Sequence, residues 1–125
     1  MKFVCFVYED AAEMAARSDD YEQKITLEHL DYDAKLRAGN HFVFANALQA
    51  PPNTKVVRKR DGRITATDGP FVETKEHIGG FIVIDAPDME KAIELAAGIP
   101  SARFSFIEVR PVRELEDELI APNRK

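Results

Sequence analysis

The sequence predicts an α+β fold: one ferredoxin-like domain with a split βαβ arrangement and an inserted β-hairpin. Three observations lead to this prediction. Apolar patterns and turn residues follow one another in the order strand, helix, strand, hairpin, strand, helix, strand. The 125 residues are 45% hydrophobic and 31% charged, as in ordinary folded proteins. A chain of this length suits one core, so residues 1–125 are expected to form a single domain.

The strands are predicted from short apolar runs that turn residues separate. Residues 2–8 form the first strand, with apolar side chains on both of its faces. Cys5 lies in this run and is expected to be a buried small hydrophobe rather than a nucleophile. The dipeptide Asp61-Gly62 is a two-residue hairpin signal between two further strands. The other strands are expected at residues 41–45, 55–60, 63–67, 81–84 and 104–112.

Two helices are predicted from apolar periodicity and from their end signals. The longer one covers residues 20–38 and ends at Gly39. The second covers residues 88–97, with Asp88 as its N-cap and Gly98 as its stop. Its apolar residues recur at the spacing of one buried stripe: Met89, Ala92, Ile93, Ala96 and Ala97. Weaker helical segments are expected at residues 10–17 and 113–119.

The apolar strands also predict a partner. Two helices can cover only one face of an antiparallel sheet, and the uncovered face is normally polar. Residues 2–8 and 81–84 have no polar face, so a second layer has to cover the sheet. Another copy of the chain is the simplest source of that layer, and an isologous homodimer is therefore expected.

Composition and charge argue against several classes of protein. A net charge of −5 does not suit a nucleic-acid-binding surface. The apolar run from Phe3 to Tyr8 is too short to span a membrane, and Glu9 and Asp10 follow it at once. The single cysteine, Cys5, cannot form an internal disulfide, so nothing points to an oxidising compartment. We expect a cytoplasmic protein without nucleic-acid or membrane partners.

Residues 68–80 combine three glycines and a proline with ionisable side chains, more chemistry than a connecting loop requires. Asp68 and Glu73 could act as acid, base or cation ligand, and Lys75 could hold an anionic group of a substrate. Phe71 could be a core anchor or a stacking platform. The alternative interpretation is a structural turn with solvated charges, in which Asp68 caps its own backbone amides.

The longer helix carries a candidate acid–base group. His29 lies at the edge of a stripe formed by Tyr21, Ile25, Tyr32 and Leu36. Asp33, one turn further along, could raise its basicity, which suits proton transfer near neutral pH. The alternative is a boundary histidine that bonds only to a neighbour or to water. A second stripe on the opposite side of this helix predicts a second contact: Leu27, Leu30, Ala34 and Ala38.

The run Asp68-Gly69-Pro70-Phe71, followed by Glu73, Lys75-Glu76 and Gly80-Phe81, resembles the YCII-related family in its branch with an Asp-Gly-Pro-Phe signature. Met1-Lys2-Phe3, Asp61-Gly62 and the segment 107–112 match the family as well. The resemblance implies a dimeric α/β barrel.

The resemblance also implies a site. Glu28-His29-Leu30 is similar to the family's first-helix segment, which bears an active-site histidine. In the YCII branch proper an aspartate before a proline pairs with that histidine, but Gly98-Ile99-Pro100 has no carboxylate here. Asp68 is the substitute that we predict, with Asp33 behind it, and the partner stays open.

Two functions follow by analogy. One YCII-type activity is dehydrochlorination of a chlorinated hydroxyquinol, a proton-transfer elimination. In an enzyme of this kind His29 would move a proton, Asp68 would orient it, and Tyr32 or Lys75 would position a small polar substrate. Alternatively, the chain is a non-catalytic ligand-binding or regulatory module, because relatives with the signature often occur beside extracytoplasmic-type sigma factors. No cofactor is expected, and no metal, because the three histidines lack the spacing of a compact metal motif.

Overall fold

The structure of the protein is a computed structural model, and it describes residues 1–70 and 74–120. In chain order the elements of this part are β1 (Lys2–Asp10), α1 (Ala11–Ala15), α2 (Asp19–Ala38), β2 (Phe42–Ala47), β3 (Lys55–Arg60), β4 (Arg63–Asp68), β5 (Glu76–Asp85), α3 (Met89–Ala97), β6 (Ile107–Pro111) and α4 (Leu115–Ile120). Short 3₁₀ turns lie at Pro51–Asn53 and Pro100–Arg103. No described helix combines the length and the apolar character that crossing a membrane requires.

The main sheet has four strands in the order β2-β5-β1-β6, and all of its neighbours are antiparallel. The helix α2 connects β1 to β2, and α3 connects β5 to β6. The strands β3 and β4 form a separate two-stranded hairpin. The α+β prediction is confirmed, and the strand order is consistent with the ferredoxin-like split βαβ plan.

The core lies on one face of this sheet. Alternate residues of β1 and β5 are buried there, among them Phe3 and Ile84, and they pack with Leu36 of α2 and Ala92 of α3. Cys5 belongs to the same cluster, and burial raises the pKa of its thiol to about 11. The thiolate is therefore absent near neutral pH, which agrees with the prediction of a small buried hydrophobe.

The opposite face of the sheet is apolar but open. Val4 and Phe6 of β1 pair with Val83 and Phe81 of β5, and all four side chains are half-buried. More exposed aromatic residues lie on the outer strands or beside them, with Phe44 53% and Phe106 45% exposed. Both faces are thus apolar, as predicted, and the helices cover only one of them.

Two strands differ from the prediction. The strand β5 begins at Glu76, five residues earlier than expected, because a bulge at Gly79 interrupts the alternation without ending the pairing. The strand β6 begins at Ile107 rather than at residue 104. The amides of Phe104 and Ser105 bond to the carbonyl of Ser101 instead, at 3.3 and 2.9 Å, and so continue the preceding turn.

The helix ends follow local chemistry. The side chains of Ser18 and Asp88 cap α2 and α3 by accepting hydrogen bonds from backbone amides. Gly39 and Gly98 follow the last helical residues, as predicted. The prediction that α2 buries a second stripe is wrong within this chain: Leu27 and Leu30 are exposed, and the fully buried residues are Ile25 and Leu36.

Candidate functional site

A cavity of about 380 Å³ lies between α2 and the strands β1, β2 and β5. Much of its wall is apolar, with contributions from Val7, Ile25 and Ile82. Its ionisable lining is Glu9, Arg17, Glu22, His29 and Asp33. A concave, mainly apolar space with a few convergent polar groups is the usual form of a small-molecule site.

His29 of α2 is held in the cavity wall by a partner that the sequence analysis missed. Its Nε2 atom lies 2.9 Å from Oγ of Ser101, which is completely buried. Ser101 lies in the 3₁₀ turn after α3, directly after Pro100. The partner of His29 thus lies at the end of α3 beside the proline, as the resemblance implies, but it is a hydroxyl after the proline and not a carboxylate before it.

The environment of His29 keeps its imidazole neutral. Burial lowers its pKa below the ordinary value of 6.5, although the carboxylates of Asp33 and Glu28 oppose this shift. Glu28 is itself paired with Arg103 at 2.6 Å. A neutral imidazole in a cavity wall can accept a proton from a bound molecule.

Asp33 lines the same cavity as His29. Burial raises the pKa of its carboxyl group, against the attraction of Arg37 and His29. The Asp33 carboxylate would stabilise an imidazolium ion at His29. It would do so through its negative charge rather than through a hydrogen bond to the ring.

Glu9 is the second residue that the sequence analysis missed. It is only 9% exposed and lines the cavity from the end of β1. Its carboxylate lies over the bulge residue Gly79, where an added Cβ atom would be 2.6 Å from Oε2. The available signal was the alternation of β1, because Phe3, Cys5, Val7 and Glu9 share one face.

Burial also raises the pKa of Glu9, and the nearby Glu22 and Glu13 add to this effect while Arg17 opposes it. A carboxyl group with a raised pKa and an imidazole with a lowered one therefore line the same cavity. Two groups whose pKa values are shifted toward each other are typical of sites that exchange protons with a ligand.

Arg17 forms one border of the cavity. Its side chain is 3% exposed, and its guanidinium donates hydrogen bonds to Glu13 at 2.8 and 2.9 Å and to Glu22 at 3.3 Å. It also lies 5.0 Å from the ring centroid of Phe104. These contacts hold the start of α2 against α1 and the turn before β6.

Other predicted site residues lie outside this cavity. Tyr32 does not line it; the hydroxyl donates to the carbonyl of Leu95 at 2.6 Å, and the ring rests on Gly98. Asp68 ends the exposed hairpin and pairs there with Lys55. The predicted pairing of His29 with Asp68 is not formed, because Asp68 is the last residue of β4 in the separate hairpin, where its side chain is exposed.

Lys75 is exposed and lies 3.7 Å from a carboxylate oxygen of Asp10. It does not line the cavity of His29 either. Phe71 and Glu73 lie outside the described residues. Within residues 1–70 and 74–120, no three His, Cys, Asp or Glu side chains are grouped closely enough to hold a metal ion.

The comparisons with known proteins agree with the resemblance at the level of the YCII-related family. The model of the YCII-related domain matches residues 1–116. The chain is also similar to an uncharacterized protein of Rhizobium meliloti (strain 1021), with 25% identity over 114 residues. That alignment covers 90% of this chain and 92% of the relative. Because the family model spans most of its length, the chain belongs to the YCII-related domain family.

Proposed function

We propose that this protein is an acid–base enzyme that binds a small polar organic molecule in the cavity beneath α2 and removes a proton from it with His29. The observation that supports this proposal best is the position of His29, a part-buried imidazole with a lowered pKa in the wall of a ligand-sized cavity. A base of this kind suits a lyase-like reaction, of which a dehydrochlorination is one example.

The surrounding residues support this role. When Nε2–H donates to Oγ of Ser101, the lone pair of Nδ1 is free to accept a proton. In an elimination that proton leaves a substrate carbon, and the leaving group departs from the adjacent carbon with its bonding electrons. Ser101 then positions the ring, and the Asp33 carboxylate stabilises the imidazolium that forms.

The working unit that we propose is a homodimer in which the open face of the sheet packs on its own copy. An isologous contact needs a self-complementary surface. The exposed Phe44 and Phe106 provide apolar area on this side, and the edge strand β6 carries both Glu108 and Arg110 on it. Each charge could therefore meet its opposite across a twofold axis, and the two sheets would form a dimeric α/β barrel.

We also assign the chain to the Asp-Gly-Pro-Phe branch of the family, on the basis of the sequence of residues 68–71. That assignment supports a second candidate function, because relatives with this signature often occur beside extracytoplasmic-type sigma factors. A ligand-binding accessory protein of an extracytoplasmic-type sigma factor would bind its ligand in the same cavity without catalysing a reaction.

A labelling experiment separates the two functions. The protein is prepared with ¹³C-labelled histidine, and small polar organic molecules are screened for those that shift the ring signals of His29. Bound molecules are then incubated in D₂O, and deuterium uptake and product formation are followed by NMR.

We expect at least one bound molecule to exchange a C–H proton or to eliminate with the wild type and with His41→Gln, but not with His29→Gln. His41 is a suitable control because its ring bonds to the carbonyl of Asp85, away from the cavity. Binding without exchange would favour the accessory module. A screen in which no compound shifts His29 would refute the cavity as a ligand site.

A further inference from the structure

The charges around the cavity do not balance. Three carboxyl groups line it, those of Glu9, Glu22 and Asp33. The guanidinium of Arg17 is already shared between Glu22 and Glu13. His29 is neutral near pH 7 because burial lowers its pKa, so it adds no positive charge. The lining therefore carries more potential negative charge than its own cations can neutralise.

Glu9 is the unmatched group. It is 91% buried, and in the described part of the chain no cation lies within ion-pair distance of its carboxylate; Arg17, whose charge lowers the pKa of Glu9, pairs with Glu13 and Glu22 instead. The carboxylate faces the cavity across Gly79, which has no side chain to cover it. Buried carboxylates are normally paired, so an unpaired one at a cavity wall indicates a place for a donor from outside the chain.

The shape and chemistry of the cavity restrict that donor. A wall that is largely apolar suits an organic donor, whose hydrocarbon part can pack against it. An ammonium group supplies three N–H donors and a full positive charge, and it forms charge-assisted hydrogen bonds with a carboxylate. Beside Glu9, the side chains of Val7, Ile25 and Ile82 offer apolar surface for a hydrocarbon body.

We propose that the ligand of this cavity is a small organic cation, an amine with an apolar body, whose ammonium group binds the carboxylate of Glu9. This inference rests on the proposed ligand site but not on any particular reaction. An anionic ligand would meet Glu9 and Asp33 without a free cation, and a neutral one would leave Glu9 unpaired.

Three probes of similar shape test this inference: benzylamine, benzyl alcohol and benzoate. Each is titrated into the ¹⁵N-labelled protein at pH 7, and dissociation constants are obtained from the amide signals of Gly79 and Gly80 in the cavity wall. We expect benzylamine to bind about 10- to 100-fold more tightly than benzyl alcohol, and benzoate to bind most weakly.

The matched variants are Glu9→Gln and Glu90→Gln. The first should abolish the preference for benzylamine while benzyl alcohol still binds. The second removes the same charge from the exposed surface of α3 and should leave the preference unchanged. In the wild type, binding of benzylamine but not of benzyl alcohol should also lower the pKa of Glu9, measured from its side-chain ¹³C signal, and this measurement needs no variant.

Equal or tighter binding of benzyl alcohol or benzoate would overturn the inference while the ligand site stands, and so would an unchanged preference in Glu9→Gln. If no probe shifts the cavity signals, both the ligand site and its preference for a cation are refuted.

Discussion

The packing of Tyr32 on Gly98 offers a quantitative test of how α2 and α3 meet. A Cβ atom added at Gly98 would lie 2.6 Å from Cε1 of Tyr32, and closer still to its Cζ and hydroxyl oxygen. The substitution Gly98→Ala must therefore displace the ring and break the 2.6 Å hydrogen bond to the carbonyl of Leu95. Overpacking and the lost bond together should lower the free energy of unfolding by about 2–4 kcal/mol.

The effect of Gly98→Ala on the free energy of unfolding should change sign when the Tyr32 ring is absent. Gly98 has φ −82° and ψ −11°, a conformation that alanine adopts without strain. In the background Tyr32→Ala, Gly98→Ala should therefore stabilise the protein by about 0.4–1 kcal/mol, since alanine restricts the unfolded chain.

The assay is a double-mutant cycle of four proteins, unfolded in urea at one protein concentration and followed by circular dichroism. We expect a coupling energy of about 3 kcal/mol between the two positions. An equal cost of Gly98→Ala in both backgrounds would show that the ring does not rest on this glycine, and the placement of Tyr32 would be wrong.

Three further predictions follow from the site and the sheet. Ser101→Ala leaves the part-buried Nε2 atom of His29 without its partner, and urea unfolding should show a loss of about 1–3 kcal/mol in the free energy of unfolding; an unchanged midpoint would contradict the contact. Because the folded pKa of His29 lies below 6.5, the stability that its neutral form contributes is fully present above pH 6.5 and is lost as the pH falls through the folded pKa. Unfolding free energies at several pH values should fall less steeply on acidification in His29→Gln than in the wild type, and parallel curves would count against the burial of this ring. Phe6→Glu on the open sheet face should convert the proposed dimer to a monomer in light scattering, whereas Leu27→Glu on the exposed side of α2 should not; a monomeric wild type would refute the dimer.

The sequence predicted best those features that depend on interactions between residues close together in the chain. A cap needs a polar side chain and a nearby backbone amide, so Asp88 and Gly98 marked the ends of α3 correctly. Strand alternation is equally local, and it predicted apolar side chains on both faces of β1.

The candidate site depended on contacts that no local rule contains. His29 and Ser101 are 72 residues apart, and only the docking of α2 against the end of α3 brings them together. The charge and glycine content of its loop favours Asp68 as a partner of His29, but the pairing of β3 with β4 keeps Asp68 on the separate hairpin. The bulge at Gly79 shifts the register of β5. Residue spacing alone therefore does not predict that Gly79 lies beneath the side chain of Glu9.

The contact between Glu9 and Gly79 means that the residue type at one of these two distant positions restricts the residue type at the other. A methyl group at position 79 would occupy the space that the Glu9 carboxylate fills. Relatives that carry alanine or a larger residue at position 79 should therefore have lost the glutamate at position 9, and the two sites should change together along the family tree.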